Sequence, residues 1–319
     1  MRGRFFLFLL SFALVGALLG QSRLLSAQAI GLEEPGGYTL GFVVNGLERR
    51  INVYVPAGYE PSGEAMPLLL ALHGAGGTGA SLSTITGFNE LATEQGFIVA
   101  YPDGYNGGWN DARLDLRTLE VDDIRFLNGM IDFLVSELNI DTDRVYAAGY
   151  SMGGMMSFRL GCQLRDKIAA VASVASTFPA YQLDACLFAD PVPVLVIQGT
   201  EDQVVPAEGG RDRFGNRVML SVDETMRYWS ETNGYASGVR IQFLPDTAPD
   251  DGTRVRRETY DDCAQGVGTE LLLVSGGGHS WPGHPFSASV NIGPTSMDID
   301  ASAEIWRFFE AHTLSGGAQ

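Results

Sequence analysis

Short apolar runs alternate with helix-like segments along most of this chain, and this alternation constrains its fold more than any other feature. Runs that are nearly all apolar are typical of strands buried on both faces of a parallel sheet. The pattern therefore predicts a three-layer α/β domain, with a mostly parallel central sheet and helices on both faces. The predicted strands are Leu68–Leu72, Phe97–Tyr101, Arg144–Gly149, Val192–Ile197 and Glu270–Val274, and the predicted helices are Ser81–Glu94, Asp122–Leu138, Met152–Leu164, Val222–Thr232 and Asp300–His312.

The N-terminal part of the domain follows a different pattern. Two strand-like runs, Gly41–Val44 and Ile51–Val55, flank Asn45-Gly46, and Asn-Gly between such runs is the strongest short-range signal of a β-hairpin. We therefore expect an antiparallel hairpin before the parallel strands. Because neither a Pro/Ser-rich linker nor an internal repeat interrupts the chain, residues 30–319 are predicted to form a single domain.

The first 29 residues have the composition of a secretory leader. Arg2 and Arg4 precede an apolar run, Phe5–Leu19, and Ala27-Gln28-Ala29 has the small-x-small pattern that a signal peptidase needs. A membrane anchor is the alternative, but a spanning helix needs about 20 apolar residues and this run is shorter. Residues 1–29 are therefore predicted to be a signal peptide, and the mature protein is expected outside the cell or in the periplasm.

The net charge excludes whole classes of partner. Lys and Arg number 21 against 38 Asp and Glu, a formal charge of −17, and cleavage of the leader would remove three of the arginines. A nucleic-acid backbone or an anionic lipid surface repels such a protein at long range. We therefore expect no nucleic-acid or membrane partner, and a neutral polysaccharide or polyester suits this surface better than an anionic polymer.

A G-x-S-x-G pattern, typical of a nucleophile turn, occupies residues 149–153. With 40 glycines in the chain the pattern alone is weak evidence, but a predicted strand runs directly into it and a predicted helix leaves it. Glycines on both sides of the serine remove side chains that would collide with the neighbouring strand and helix. We therefore expect Ser151 to be a nucleophile at the carboxyl end of the sheet.

A serine hydroxyl needs a base to take its proton and a carboxylate to orient that base. Of the four histidines in the chain, His279 is the best candidate, because it follows a predicted strand and three glycines. The carboxylate is Asp202 or Glu201, which both follow the preceding buried strand. The order Ser151, Asp202, His279 is the chain order of an α/β-hydrolase triad.

An oxyanion that forms at the attacked carbonyl needs two backbone donors. The amide of Met152, directly after the nucleophile, is one candidate. The other is expected in the glycine-rich loop after the first parallel strand, where we favour Ala75 and place Gly74 second. These residues complete the parts of an acyl-transfer site.

The same loop also matches a dinucleotide-binding pattern. Residues 74–79 read G-x-G-x-x-G between a strand and a helix, so an NAD(P)-dependent oxidoreductase is a remote alternative. A hairpin precedes this strand, however, and the acidic residue expected about 20 residues later is missing from the end of the next strand. Asp122-Asp123 most simply caps a helix. Because H-E-x-x-H, paired C-x-x-C and P-loop patterns are absent from the sequence, we expect no metal and no cofactor.

Five segments resemble the secreted esterases that include polyhydroxybutyrate depolymerases and bacterial feruloyl esterases. The resemblance covers the whole mature chain and implies an α/β-hydrolase fold and a serine esterase, with Ser151 as nucleophile, His279 as base and Asp202, rather than Glu201, as its orienting acid. The segments are Leu72-His73-Gly74, Tyr101-Pro102-Asp103-Gly104, Gly149-Tyr150-Ser151-Met152-Gly153-Gly154, Gly199-Thr200-Glu201-Asp202 with Val205-Pro206, and Gly277-Gly278-His279-Ser280-Trp281-Pro282-Gly283.

Aromatic side chains near these segments are the candidate substrate contacts. The resemblance implies that Trp281 packs beside the site, where its indole face would hold an aromatic acyl group. Tyr150, Trp109 and His73 are the other candidates.

The three cysteines allow one disulfide in an oxidising compartment, and the sequence by itself leaves the pairing open. Many of the esterases that this chain resembles carry a cysteine where this chain has Tyr235, and that cysteine pairs with one similar to Cys263. The resemblance therefore implies that Cys162 and Cys186 form the disulfide and that Cys263 is unpaired.

The expected reaction is hydrolysis of a carboxylic ester through an acyl-enzyme. Activity should fall below about pH 6, because a protonated imidazole cannot act as a base. The candidate substrates are feruloyl or related esters on plant polysaccharide and hydroxybutyrate oligomers or polyester, with acetylated xylan as an alternative. The candidate aromatic contacts favour an aromatic acyl group. A non-catalytic secreted binding protein with the same fold is a different alternative, against which the intact serine, aspartate and histidine argue.

Overall fold

The computed structural model describes residues 31–314, except residues 33, 114–120, 187–190, 212–213, 236–237, 261–266 and 286–291. The predicted signal peptide and Cys263 lie outside the described residues. In the described part of the chain, no helix has the length and apolar character needed to span a bilayer.

The described residues form twelve strands and six α-helices. The strands are β1 (Gly36–Val44), β2 (Leu47–Val55), β3 (Met66–Leu72), β4 (Ile98–Pro102), β5 (Ile140–Tyr150), β6 (Ala170–Val174), β7 (Val194–Gly199), β8 (Gly210–Arg211), β9 (Arg217–Met219), β10 (Arg240–Phe243), β11 (Arg254–Tyr260) and β12 (Thr269–Ser275). The helices are α1 (Gly79–Thr86), α2 (Phe88–Gln95), α3 (Asp123–Glu137), α4 (Met152–Gln163), α5 (Val222–Thr232) and α6 (Ala301–Glu310).

Ten of the strands form one sheet in the order β1-β2-β4-β3-β5-β6-β7-β12-β11-β10. The six strands from β4 to β12 in this order run parallel. The β1–β2 hairpin and the β11–β10 pair add antiparallel strands at the two edges. Alternate residues of β3 point into two separate apolar clusters, one on each face of the sheet. The predicted fold class and the N-terminal hairpin are therefore confirmed.

The elements differ from the predicted ones in two ways. The predicted helix Ser81–Glu94 is two helices, α1 and α2, because Gly87 between them has a φ of 63°. The apolar pattern did not predict five of the observed strands, β6, β8, β9, β10 and β11. The first is a short segment of small residues, Ala170–Val174, and β11 carries charged side chains such as Arg256 and Glu258, which pair at 2.7 Å.

A buried ion pair fastens the N-terminal hairpin to the rest of the domain. Arg49 of β2 lies 2.6 Å from Asp123 at the start of α3, and both side chains are buried. Arg49 also donates to the carbonyl of Asp103 beyond β4. Asp122 accepts from the amide of Arg125 and so caps α3, as expected. Removing one partner of such a buried pair typically costs about 3–5 kcal/mol.

The disulfide implied by the resemblance is present between Cys162 and Cys186, whose Cα atoms are 5.2 Å apart. It ties the end of α4 to the segment that leads into β7. A bridge across 24 residues restricts the unfolded chain and contributes about 3 kcal/mol in the chain-entropy model.

Candidate active site

The turn from β5 to α4 holds Ser151 in a strained conformation. Its φ of 55° and ψ of −118° are rare for a residue with a side chain. The flanking glycines are required by close backbone contacts: a Cβ at Gly149 would lie 2.1 Å from the carbonyl carbon of Gly153, and one at Gly153 would lie 2.0 Å from the carbonyl oxygen of Leu72. Ser151 keeps 8% of its surface exposed, so a small reactant can reach it.

The carboxyl ends of β7 and β12 bring Asp202 and His279 together. These strands are parallel neighbours, so their following loops lie side by side. His279 Nδ1 is 2.7 Å from Asp202 Oδ2, with 6% and 0% of the two side chains exposed. Because the carboxylate oxygen can only accept, Nδ1 carries the proton and donates it. Glu201 is exposed to solvent, so it is Asp202 that contacts the imidazole.

Four donors surround the Asp202 carboxylate. The amides of Val204 and Val205 each donate to Oδ1 at 2.8 Å. On the other oxygen, His279 Nδ1 is joined by the side-chain amide of Gln198, whose Nε2 lies 3.1 Å from Oδ2. These four hydrogen bonds hold in place a carboxylate whose side chain is fully buried.

The glycine-rich loop after β3 passes beside the serine. A Cβ at Gly74 would lie 3.3 Å from the Cβ of Ser151. In the described part of the chain, nothing accepts a hydrogen bond from the amides of Ala75 and Met152, whereas Gly76 and Gly77 donate to the carbonyls of Gly107 and Gly74. The amides of Ala75 and Met152 therefore stay the candidate oxyanion donors.

His73 and Trp109 support this loop from within the core. His73 Nε2 accepts from the amide of Gly104 at 2.8 Å, so Nδ1 carries the proton and donates to the carbonyl of Gly74. Burial lowers the pKa of His73 and keeps it neutral. The indole of Trp109 donates to the carbonyl of His73 and is fully buried. The expectation that His73 and Trp109 contact substrate is therefore not supported, because their polar atoms and ring faces are used inside the protein.

The other two aromatic candidates also have structural partners. Trp281 is fully buried, donates to Ser302 Oγ and packs edge-on against Phe88, so its indole face is closed to a substrate. Tyr150 is half-buried, and its hydroxyl donates to the carbonyl of His279 at 2.7 Å. Burial, and secondarily the charge of Asp202, raises the pKa of Tyr150, so the phenol keeps the proton that it donates. Tyr150 thus ties the histidine loop to the nucleophile turn.

The loop of residues 74–79 is not shaped for a dinucleotide. A diphosphate would need the free amides at the N terminus of α1. The side chain of Asp103 already accepts from the amide of Gly79 at 2.7 Å, and Thr78 caps the same helix. A carboxylate in this place would repel a phosphate, which argues against the oxidoreductase alternative.

A polar cluster that no sequence pattern predicted lies one helical turn beyond Ser151. Asp111 is fully buried and binds Arg113 through Nε and Nη2, at 2.8 and 2.6 Å. The hydroxyl of Tyr181 donates to the same carboxylate, and Arg113 Nη2 lies 3.0 Å from the sulfur of Met155. Asp111 and Tyr181 are 70 residues apart in the chain, so no local spacing could have linked them.

Comparison with known proteins identifies the family. Residues 67–189 match the family model described as the alpha/beta hydrolase fold. A protein of Nocardia uniformis subsp. tsuyamanensis that is named as an esterase, NocK, is 33% identical over 255 residues, which cover 76% of this chain and 74% of that protein. The chain belongs to the α/β-hydrolase family of carboxylic ester hydrolases. The present chain is also 32% identical to feruloyl esterase B of Piromyces equi over 238 residues, which cover 73% of the present chain.

Two further facts limit what these similarities show. The present chain spans only 42% of the length of feruloyl esterase B, so it corresponds to part of that protein. Among solved structures, the acetyl xylan esterase from Aspergillus awamori is similar with a TM-score of 0.54 and 15% identity, over 82% of this esterase and 93% of that chain. At that identity the structural similarity supports the fold alone.

Proposed function

We propose that this esterase hydrolyses carboxylic esters through a covalent acyl-enzyme on Ser151, with His279 as the general base and Asp202 as its orienting acid. The observation that carries the proposal is the buried 2.7 Å contact between His279 and Asp202. It lies at the carboxyl ends of the parallel strands, where the strained Ser151 also lies. A neutral imidazole with Nδ1 fixed by a carboxylate has Nε2 free to take a proton from a serine hydroxyl.

The reaction divides into two steps of the same kind. Ser151 Oγ attacks the ester carbonyl while His279 accepts its proton, and the amides of Met152 and Ala75 stabilise the oxyanion. His279 then protonates the departing alcohol, which leaves the acyl group on Ser151. A water molecule repeats the attack with His279 as base and releases the acid.

We further propose that the substrates are acyl esters on plant polysaccharide, feruloyl groups first and acetyl groups second. Relatives named as feruloyl esterases support this choice. The tryptophans near the site motifs do not support it, because Trp109 and Trp281 are fully buried.

We propose that the mature protein lies outside the cytoplasm and that residues 30–319 form a single domain. The leader-like composition of residues 1–29 supports export. The Cys162–Cys186 disulfide supports the same location, since disulfides persist in oxidising compartments.

The test of the mechanism is Ser151→Ala, assayed on a simple chromogenic ester. Loss of the nucleophile should lower kcat by about 10⁴-fold or more. Ser157→Ala is the matched control, because Ser157 is a buried serine on α4, directly after the nucleophile turn. Its hydroxyl donates to the carbonyl of Gly153. A Ser151→Ala enzyme that kept wild-type activity would exclude the proposed mechanism.

The substrate class is tested by comparing kcat/KM on methyl ferulate, acetylated xylan and hydroxybutyrate oligomers. We expect the highest value on methyl ferulate. A clear preference for hydroxybutyrate oligomers would replace the proposed substrate with a polyester, and a preference for acetylated xylan would indicate a small acyl pocket.

A further inference from the structure

We propose that Gln198 is a positioning residue of this active site, which holds the Asp202 carboxylate and limits how strongly it stabilises a protonated His279. This inference rests on the proposed function of Asp202 and His279. Gln198 is the only polar side chain of β7 and is fully buried. It stands four residues before Asp202, at the point where the strand ends.

The side-chain amide of Gln198 bridges the carboxylate and its loop. One Nε2 hydrogen points to Asp202 Oδ2 at 3.1 Å, and the other to the carbonyl of Val205 at 2.9 Å. The amide of Val205 donates in turn to Asp202 Oδ1. Gln198, Asp202 and Val205 thus form a closed set of hydrogen bonds that fixes the loop after β7.

The chemistry of the neighbours fixes the orientation of this amide. Nε2 faces the Asp202 carboxylate and the carbonyls of Val205 and Gly199, all of which only accept. Turning the amide around would place Oε1 against three acceptors. The donor is therefore held toward Asp202, and no alternative hydrogen-bond pattern with the same contacts exists.

Stability alone gives a poor reason for a glutamine at this position. Its Oε1 is buried and has no hydrogen-bond partner in the described part of the chain, and an unpartnered buried acceptor is unfavourable. The other side chains of β7 are apolar and buried on both faces of the sheet. A buried polar group whose hydrogen bonding is incomplete, placed beside a reactive pair, is explained by what its donor does.

The donor acts on the same oxygen that receives the imidazole proton. Because Asp202 Oδ2 accepts from both His279 Nδ1 and Gln198 Nε2, part of its negative charge is already compensated before His279 becomes protonated. Removing the glutamine donor would present more negative charge to the imidazole and favour its protonated form. A histidine that stays protonated cannot accept the serine proton, so the donor should extend activity toward lower pH.

The experiment compares the pH profiles of kcat/KM for wild type, Gln198→Met and Gln198→Glu on a simple ester. Methionine fills a similar volume without a donor. Glutamic acid keeps a donor, because a buried carboxyl beside the Asp202 carboxylate holds its proton. We expect the acid limb to move to higher pH by about half a unit for Gln198→Met and to stay near its wild-type position for Gln198→Glu. The plateau value should fall about tenfold for methionine, because a hydrogen bond to a charged group is lost.

Gln182→Met is the matched control. Gln182 is also fully buried, and its Nε2 donates to the carbonyls of Asp111 and Met155. Among the described residues, its Oε1 has no hydrogen-bond partner and its Nε2 has no hydrogen bond to a carboxylate. It should lower the unfolding midpoint without moving the acid limb. An acid limb that stays in place in Gln198→Met, or moves equally in Gln182→Met, would overturn the inference. Wild-type activity in Ser151→Ala would instead overturn the proposed function, so the two failures are distinguishable.

Discussion

Two histidine–aspartate contacts are present in the described part of the chain, and only one has the surroundings of a catalytic pair. His279 contacts Asp202 at 2.7 Å, and His284 contacts Asp300 at 3.0 Å. The first pair is buried, whereas 28% of the His284 side chain and 49% of the Asp300 side chain are exposed. The contact distance by itself does not separate the two pairs.

The difference lies in what else each aspartate binds. Both oxygens of Asp202 accept hydrogen bonds from donors in the candidate active site. Asp300 uses Oδ1 to cap α6 through the amides of Ser302 and Ala303, and only Oδ2 meets His284. A histidine–carboxylate contact therefore becomes a candidate for catalysis only where the sheet topology brings it to a nucleophile and excludes water from the carboxylate.

The largest expected effect separates the two pairs by activity. Asp202→Asn should lower kcat by about 10³–10⁴-fold, because an amide lets the imidazole take the wrong tautomer. Asp300→Asn should leave kcat near the wild-type value, because asparagine still accepts from the helix amides. Both are measured on a simple ester, with circular dichroism to show that the fold is kept. Equal losses in the two variants would mean that the pairs have been assigned wrongly.

The next effect concerns the close packing of the two loops that carry Asp202 and His279. A Cβ at Gly199 would lie 2.2 Å from the carbonyl oxygen of Gly277, so Gly199→Ala must push apart the loops that carry Asp202 and His279. We expect a loss of about 3 kcal/mol or more in the free energy of unfolding, measured by denaturant titration, together with reduced activity.

Gly129→Ala in α3 is the control for Gly199→Ala. A Cβ at Gly129 meets no atom within 4 Å, so alanine there should stabilise the protein by about 0.5–1 kcal/mol. If Gly199→Ala were as harmless as Gly129→Ala, the packing of these loops would not be what brings the pair together.

The smallest expected effect is a pH-dependent stability from the exposed pair. The hydrogen bond to Asp300 raises the pKa of His284, and although burial opposes it, the bond from His284 lowers the pKa of Asp300. A raised histidine pKa stabilises the fold below about pH 6.5 and loses this effect as the pH rises, while a lowered aspartate pKa stabilises it above about pH 4.

The free energy of unfolding of the wild type should therefore exceed that of Asp300→Asn most clearly between about pH 4 and pH 6.5. The difference should be under about 1 kcal/mol, because both groups are partly exposed to solvent. It is measured from unfolding curves at several pH values. A difference that grew above pH 8 would contradict the assigned pKa directions.

Much of the fold could be predicted from residue patterns, because most of the central strands are long and apolar enough to be distinguished from the helices and loops between them. The Ala-rich β6 and the charged β11 were missed, since pairing with neighbours in the sheet, and not their own composition, makes them strands. Gln198 was missed in the same way. A single polar residue ending an apolar run was a visible signal, but its meaning depended on Asp202 being within hydrogen-bond reach.

The aromatic residues show the opposite error. Trp109 and Trp281 stand beside the site motifs in sequence, which suggested contact with a substrate, yet both are fully buried. Sequence position shows that an indole is near a site but not which way its face points. That direction depends on packing against residues such as Phe88 and His73.

The sequence by itself determined the alternation of strands and helices and the turn at Ser151, because spacing, strand ends and flanking glycines are local. It also determined the chain order of serine, acid and histidine. The tertiary structure showed that Asp202, and not the exposed Glu201, contacts His279, and that His284 contacts Asp300. Asp202 and His279 are 77 residues apart, and they meet because β7 and β12 are neighbours in the sheet. Contacts of that range depend on strand order and burial, which local patterns do not specify.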